Sequence, residues 1–274
     1  MTEKILTLNG LPIGGANPVR VMGVINLSPE SFYAESIITD QTALVSRVEE
    51  MVGQGADIID IGGASTAPKN YYDTKDTGTQ EELSRVTSAL ELIVKASSVP
   101  ISIDTTSSSI AEAALDLGAS IVNDISGLHA DKMMAGLAAD RNVPIVIMAN
   151  CPNHCESVEA SLGALKSSLE IANEAGIPKE NVILDPGIGF GKPPDVDFAL
   201  LKQLGRFKDF QRPILVGVSR KAFIGALLGE DNPERRLAGT VSATSVAVVN
   251  GADIIRAHDV AEAVVAARVG EALR

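Results

Sequence analysis

The feature that most limits what this chain can fold into is a repeat of two alternating textures. Short β-branched or apolar runs recur along its length, and longer stretches rich in Ala, Leu and Glu lie between them. Eight runs read as strands: Val19–Val24, Asp57–Ile61, Pro100–Ile103, Ser120–Asn123, Pro144–Met148, Asn181–Leu184, Pro213–Val218 and Asp253–Ala257. Most are apolar almost without interruption, as expected for parallel strands buried on both faces. Segments such as Thr42–Gln54, Glu81–Ala96, Ser108–Leu117, Val158–Ala175 and Val241–Asn250 carry helical spacing. A Gly-Ala pair precedes three of the strands, at Gly55-Ala56, Gly118-Ala119 and Gly251-Ala252. Glycine there closes a helix in left-handed geometry and turns the chain into the next strand. Eight βα units in 274 residues match the arithmetic of an α/β fold of the (β/α)8 barrel type. An open doubly wound sheet would carry G-x-G-x-x-G after its first strand, and none stands there. Ile5–Ile13, centred on Asn9-Gly10, reads as a short N-terminal β-hairpin capping the barrel's N-terminal mouth. With no low-complexity linker, residues 1–274 are expected to form one domain.

Composition narrows the function. Asp and Glu number 35 against 23 Lys and Arg, a formal charge of −12. A nucleic-acid or anionic-membrane binder needs a broad basic face, so neither partner is expected. No apolar run approaches the ~20 residues of a spanning helix, and Met1-Thr2-Glu3-Lys4 lacks the pattern of a secretory signal. Two cysteines do not make a disulfide framework, so a reducing, cytoplasmic setting is expected.

In a (β/α)8 barrel the chemistry sits where strands end and βα loops begin. Nearly every run here delivers a polar residue to that rim. In order these are Asn26; Gly62-Gly63-Ala64-Ser65-Thr66; Asp104; Asn123-Asp124; Asn150; Asp185-Pro186-Gly187; Ser219-Arg220-Lys221; and Arg256 with His258-Asp259. Singly, each has a plain alternative. Asp104 or Asp124 could cap a helix, and Lys221 could be a solvated residue starting one. Arg256 on an apolar strand needs an anion, either a structural partner such as Asp253 or Asp259 or a ligand. Together they form two groups. Asp104, Asn123 and Asp185 suit a neutral heterocycle with several N–H donors, whereas the cations Lys221, Arg256 and His258 suit phosphate. Cys151, His154 and Cys155 are metal-ligand types, but no second pair completes a zinc site, so they read as an ordinary loop. Lys69–Gln80, with Tyr71 and Tyr72, reads as a surface loop or lid. The Ala- and Val-rich Leu237–Val249 suits either barrel packing or an oligomer contact, and a homodimer is expected.

With the rim residues aligned, the chain resembles the dihydropteroate synthases of the pterin-binding (β/α)8 family. The likeness runs from Val21 to the C-terminal helix. It rests on Met22-Gly23-Val24-Ile25-Asn26 with Ser28-Pro29-Glu30-Ser31-Phe32, Asp60-Ile61-Gly62-Gly63 with Ser65-Thr66, and Asp104-Thr105. It continues through Asn123-Asp124-Ile125-Ser126-Gly127, the run from Leu184 to Lys192, Ser219-Arg220-Lys221 before Phe223-Ile224-Gly225, and Arg256-Ala257-His258-Asp259-Val260. The resemblance implies a transferase joining a dihydropterin methyl diphosphate to an arylamine, with release of diphosphate. By position, Asp185 would pair with the pterin's amino and ring N–H groups, completed by Asn123 and Lys221. Asp104 would stabilise positive charge as diphosphate leaves. Asn26 would help hold Mg2+, Arg256 and His258 would grip the diphosphate, and Thr66, Pro68, Phe190 and Ser219 would frame the arylamine.

Three departures stand out. The family's Gly-Gly-Glu-Ser-Thr-Arg-Pro-Gly is here Gly62-Gly63-Ala64-Ser65-Thr66-Ala67-Pro68-Lys69, so its Arg is missing at Ala67. Its Met-His-Met is Met148-Ala149-Asn150, and its first-loop Asp-Gly gives way to Tyr33-Ala34-Glu35-Ser36. These changes leave room for a shifted second substrate, such as the ribosylated aminobenzene phosphate of methanopterin assembly. Corrinoid methyltransferases on methyl-tetrahydropterin share the barrel but have no diphosphate to hold, and a non-catalytic homologue would lack Asp104 or Arg256.

Overall fold

The computed structural model describes residues 6–8, 10–28, 41–64, 78–152 and 154–274. Eight parallel strands lie side by side in the order β8-β7-β6-β5-β4-β3-β10-β9. They are β3 (Arg20–Asn26), β4 (Ile58–Gly62), β5 (Ile101–Asp104), β6 (Ile121–Asp124), β7 (Ile145–Met148), β8 (Val182–Asp185), β9 (Leu215–Val216) and β10 (Ile254–Ala257). A parallel bridge between Leu184 and Ile214 brings β8 to β9 and closes the ring. The outer layer contains α1 (Gln41–Gly53), α2 (Thr79–Ala96), α3 (Ser108–Asp116), α4 (Met134–Asp140), α5 (Val158–Glu174), α6 (Pro194–Lys202), α7 (Ala222–Leu228), α8 (Leu237–Val249) and α9 (Val260–Ala272). The expected barrel is therefore the observed one. Each Gly-Ala turn is as the sequence required: Gly55, Gly118 and Gly251 have φ of +101°, +112° and +114°, a region open to glycine at little steric cost.

The hairpin is also present, as β1 (Leu6–Leu8) paired antiparallel with β2 (Leu11–Ile13). Its Leu8 and Ile13 pack with Met22, Ile58, Ile121, Val146, Ile183, Leu215 and Ile254 in one buried cluster. These side chains fill the lower barrel and make an apolar floor. The intervening residues Ile59, Val122, Leu184 and Ile255 belong to the larger core shared with the helices, as the two-residue period of a strand dictates. Two positions above the floor, the same inward parity brings Asp60, Asn123, Asp185 and Arg256, joined by Ser102 and Asp104 of β5. The barrel thus changes from apolar to ionic within one step along its strands. Among the described residues, no helix is long and apolar enough to cross a membrane.

Candidate active site

Arg256 is the centre of the ionic layer. Its Nε donates to Asp60 Oδ2 at 2.7 Å and its Nη2 to Asp104 Oδ2 at 2.8 Å. Asp60 Oδ2 also accepts from Asn123 Nδ2 at 3.1 Å. Neither of the structural partners weighed for Arg256 is the actual one, since Asp259 pairs with Arg220 at 2.8 Å and Asp253 lies 3.6 Å from Arg274. Burial by itself would depress the guanidinium, but the Asp60 and Asp104 carboxylates outweigh it and hold Arg256 above its ordinary value. Within the described residues Oδ1 of Asp60 and Oδ1 of Asp104 are buried with no hydrogen-bond partner. An orphaned buried oxygen is costly, so two of them at a rim are places where a ligand's N–H or a water belongs. Burial, followed by the neighbouring carboxylates, drives Asp104 up to about 7 despite the Arg256 charge.

Asp185 ends β8, fully inside the rim, and its Oδ1 accepts from the Gly187 N–H at 2.7 Å. Burial raises it, and Lys221 opposes that shift. Lys221 donates to the Ile188 carbonyl and stands 4.1 Å above the centroid of the Phe190 ring, a cation–π distance. Burial lowers Lys221 to about 8, although Asp185 and Asp197 favour its charge. His258 follows β10. Its Nδ1 lies 2.9 Å from Ser219 Oγ and its Nε2 3.5 Å from Asn26 Nδ2. Burial, then the charges of Arg256 and Arg220, depress it to about 3. Burial and these cationic neighbours favour the neutral imidazole, with one N–H and one lone pair, over the cation expected from the sequence.

The structure thus gathers Asn26, Asp104, Asn123, Asp185, Phe190, Ser219, Lys221, Arg256 and His258 around one mouth. Thr66, Ala67, Pro68, Tyr71, Tyr72 and the first-loop departure at 33–36 lie outside the described residues. Asp124 points away from the mouth and accepts from the Ser126 and Leu128 N–H groups at 2.8 and 2.9 Å, a loop cap. The expectation of unlinked cysteines is also corrected: Cys151 and Cys155, with Cα atoms 5.1 Å apart, form a disulfide in the loop after β7. That separation lies within ordinary bridging range.

Reading only strand ends missed Asp60, which sits two residues before the end of β4. Inward parity would have found it, because it follows the floor residue Ile58 by two. Also missed were the buried Lys192 and Asp197, 2% and 1% exposed, which brace the loop after β8. Chemically, Asp185, Asn123 and the orphaned carboxylate oxygens present acceptors to a flat N–H-bearing ring. Beside them Arg256 Nη1, unbonded among the described residues, and His258 offer donors for an anion.

Three comparisons bear on this arrangement. The family model described as pterin binding enzyme matches residues 22–258. A dihydropteroate synthase of Clostridium beijerinckii is 41% identical over 245 residues, covering 88% of this chain and 89% of that protein. Two solved structures from Xanthomonas albilineans superpose closely. The dihydropteroate synthase with 4-aminobenzoic acid gives a TM-score of 0.88 at 35% identity, covering 99% of this chain and 98% of the other. The same enzyme in complex with 7,8-dihydropteroate gives 0.85 at 34% identity, covering 98% of each chain.

Proposed function

The chain belongs to the pterin binding enzyme family, and on that premise we propose that it catalyses the dihydropteroate synthase reaction of folate biosynthesis. In that reaction 6-hydroxymethyl-7,8-dihydropterin diphosphate condenses with 4-aminobenzoate and releases diphosphate. The observation that carries the reading is the ionic layer itself: acceptors for a pterin edge lie beside a clamped guanidinium with one N–H face open.

The chemistry follows from charge. The methylene C–O bond breaks heterolytically, the amine lone pair forms the C–N bond, and the amine proton leaves to solvent. Positive charge develops at the methylene and negative charge on the departing diphosphate. Asp185 and Asn123 fix the pterin. Ionised Asp104, held in place by Arg256 Nη2, faces the developing cation, while Arg256 Nη1 meets the diphosphate beside His258, whose ring nitrogens lie against Ser219 and Asn26. A neutral arylamine is nucleophilic enough to need no strong base. Phe190, Ser219 and Thr66 frame it in this reading.

A Mg2+ ion belongs to the same proposal. No group of three His, Cys, Asp or Glu among the described residues could hold a metal, so those residues supply no cage. Asn26 offers a hard amide oxygen at the rim, and Mg2+ is commonly bound by one or two protein ligands plus substrate phosphate. When bound with the diphosphate, the ion would neutralise charge on the leaving group. We also propose a homodimer, supported by the apolar face of α6, α7 and α8. There Leu227, Leu228 and Val246 are exposed around a groove of about 510 Å3 that also involves Phe198, Leu201 and Ile224. The cytoplasmic setting is part of this reading, although the Cys151–Cys155 disulfide removes the argument from unlinked cysteines that the sequence offered for it.

The second substrate is tested by competition. Purified protein with dihydropterin diphosphate and Mg2+ is offered 4-aminobenzoate beside its ribosyl-phosphate analogue, and the two kcat/KM values are compared. Preference for 4-aminobenzoate is expected. Preference for the larger amine would move the reaction to the methanopterin type, and pterin binding without turnover of either amine would remove the synthase reading.

A further inference from the structure

The loop after β8 carries Phe190 and abuts Lys221, yet its backbone is held by two residues that reach no proposed substrate. Gly187, Gly189 and Gly191 all have positive φ, between +72° and +78°, so the loop folds as a chain of left-handed turns with few internal bonds. Its peptide groups are tied to charged side chains instead. Gly187 N donates to Asp185, Gly187 O accepts from Lys192 Nζ, Gly189 N donates to Asp197 Oδ1 at 2.7 Å, and Ile188 O accepts from Lys221 Nζ. A side chain at Gly189 would run into Lys221, which shows how closely the loop backbone and that lysine are fitted.

We propose that Lys192 and Asp197 are positioning residues for the second-substrate wall, holding the Gly187–Gly191 backbone so that the Phe190 ring, with Lys221 packed on it, faces the arylamine. This rests on the proposed synthase reading. Lys192 is among the largest fully buried side chains of the molecule, and burying an ammonium is expensive unless it is paired. Its compensation is the Gly187 carbonyl together with the Asp197 and Asp185 charges. Asp197 lies at the start of α6, where helix geometry favours an anion. It faces Lys192 from the loop, Lys221 from the start of α7 and Asp195 on its own helix, and burial lifts it to about 6. Two buried charges that bond to loop backbone, Lys192 to Gly187 O and Asp197 to Gly189 N, are an uneconomical way to stabilise a fold. They are well suited to fixing one loop geometry.

The test uses Lys192→Met and Asp197→Asn in the full chain. Lys192→Met removes the ammonium donor from the buried Gly187 carbonyl, leaving it only the long bond from the Phe190 N–H at 3.3 Å. About a tenfold or greater rise in KM for 4-aminobenzoate is expected, with calorimetric affinity for the pterin within about threefold of wild type. Asp197→Asn keeps an acceptor for Gly189 N and should therefore retain kcat. Its arylamine KM should be raised and independent of pH near 6, as for a permanently protonated carboxylate, whereas the wild-type KM should rise as pH falls through about 6. Independently of turnover, amide hydrogen exchange in the peptide containing Gly187–Gly191 should accelerate in Lys192→Met. Unchanged exchange, or equal loss of pterin and arylamine affinity in both variants, would overturn the proposal. A wild-type protein that binds pterin but turns over no amine would remove the synthase reading, while the exchange measurement still decides whether these residues hold the loop.

Discussion

The strand-borne layer over the barrel floor and the loop-borne wall beside it hold their polar groups by opposite means. In the first, Asp60, Asp104, Asn123 and Arg256 stand on four strands whose register is set by the barrel, and their side chains bond mainly to one another. In the second, Phe190 and Lys221 flank a glycine-rich turn, and side chains bond to backbone. A strand side chain can move only if the ladder moves, whereas a loop position can drift with its bracing. Among the described residues, the departures from the family pattern noted above, at Ala64, Ala149 and Asn150, fall beyond the ends of β4 and β7. The residues of the ionic layer are all of the family type. In the proposed reaction, pterin and diphosphate contacts fall to the strand-borne layer and second-substrate contacts to the loop-borne wall.

The strongest way to break this comparison is Arg256→Ala. If the strand layer is a mutually dependent network, removing its cation leaves two buried carboxylates facing each other. A loss of about 3–5 kcal/mol in unfolding free energy is expected, read from urea denaturation, along with loss of turnover. A variant that unfolds at the wild-type urea concentration would mean that Arg256 serves only the ligand. The pairs weighed from sequence, with Asp253 or Asp259, would have given a similar cost for a different reason. Asp60→Asn separates them, because only the observed network makes its stability depend on Asp60.

A smaller effect comes from pH. Asp104 is lifted to about 7 by burial and nearby carboxylates, and Lys221 is lowered to about 8 by burial. If Asp104 must be ionised, kcat/KM falls as pH drops through about 7, approaching tenfold per unit on the acid side. If Lys221 must be charged, activity also falls as pH rises through about 8. The two limbs come from the two regions, so they can be removed separately. Asp104→Asn should abolish the acid limb of the residual activity, and Lys221→Arg should move the alkaline limb upward. His258, depressed to about 3, should contribute no limb in the accessible range.

Much of this was legible in the sequence, and for a physical reason. Parallel strands buried on both faces must be apolar, so their runs were visible, and a polar residue ending such a run was conspicuous. Four strands, β4, β5, β6 and β8, end one residue further on than the runs suggested, β3 ends two further on, β7 and β10 end as read, and β9 ends two residues earlier. β8, for example, includes Asp185 and β5 includes Asp104, because a side chain aimed into a polar mouth still belongs to the ladder. Asp60 was less visible, since within Asp57–Ile61 it looks like an interruption unless inward parity is counted. The neutrality of His258 was not legible at all. It depends first on burial and then on the cations of Arg256, Arg220, Lys221 and Arg47, which converge from distant parts of the chain. The same holds for Arg256, whose nearest acids in sequence, Asp253 and Asp259, are both engaged elsewhere.

The finest distinction concerns Ala67, where the family carries Arg. If the second-substrate wall tolerates drift because the strand layer does the exacting work, restoring the residue should sharpen arylamine recognition and little else. Ala67→Arg adds a planar guanidinium suited to a carboxylate. An ion pair open to solvent contributes about 0.2–1 kcal/mol, so a decrease of about two- to fivefold in KM for 4-aminobenzoate is expected, with kcat and calorimetric pterin affinity unchanged. The effect should shrink as salt is raised, since exposed charges are screened within about 8 Å at physiological ionic strength. A change in pterin affinity as large as the change in KM would show that the loop reaches the first substrate as well, and the division between rigid and pliable regions would have to be redrawn. No change at all would mean that another cation already meets the carboxylate. Lys69, two residues along the same loop, is then the residue to replace next, and Lys69→Ala in the wild-type background should raise KM by the amount that Ala67→Arg failed to lower it.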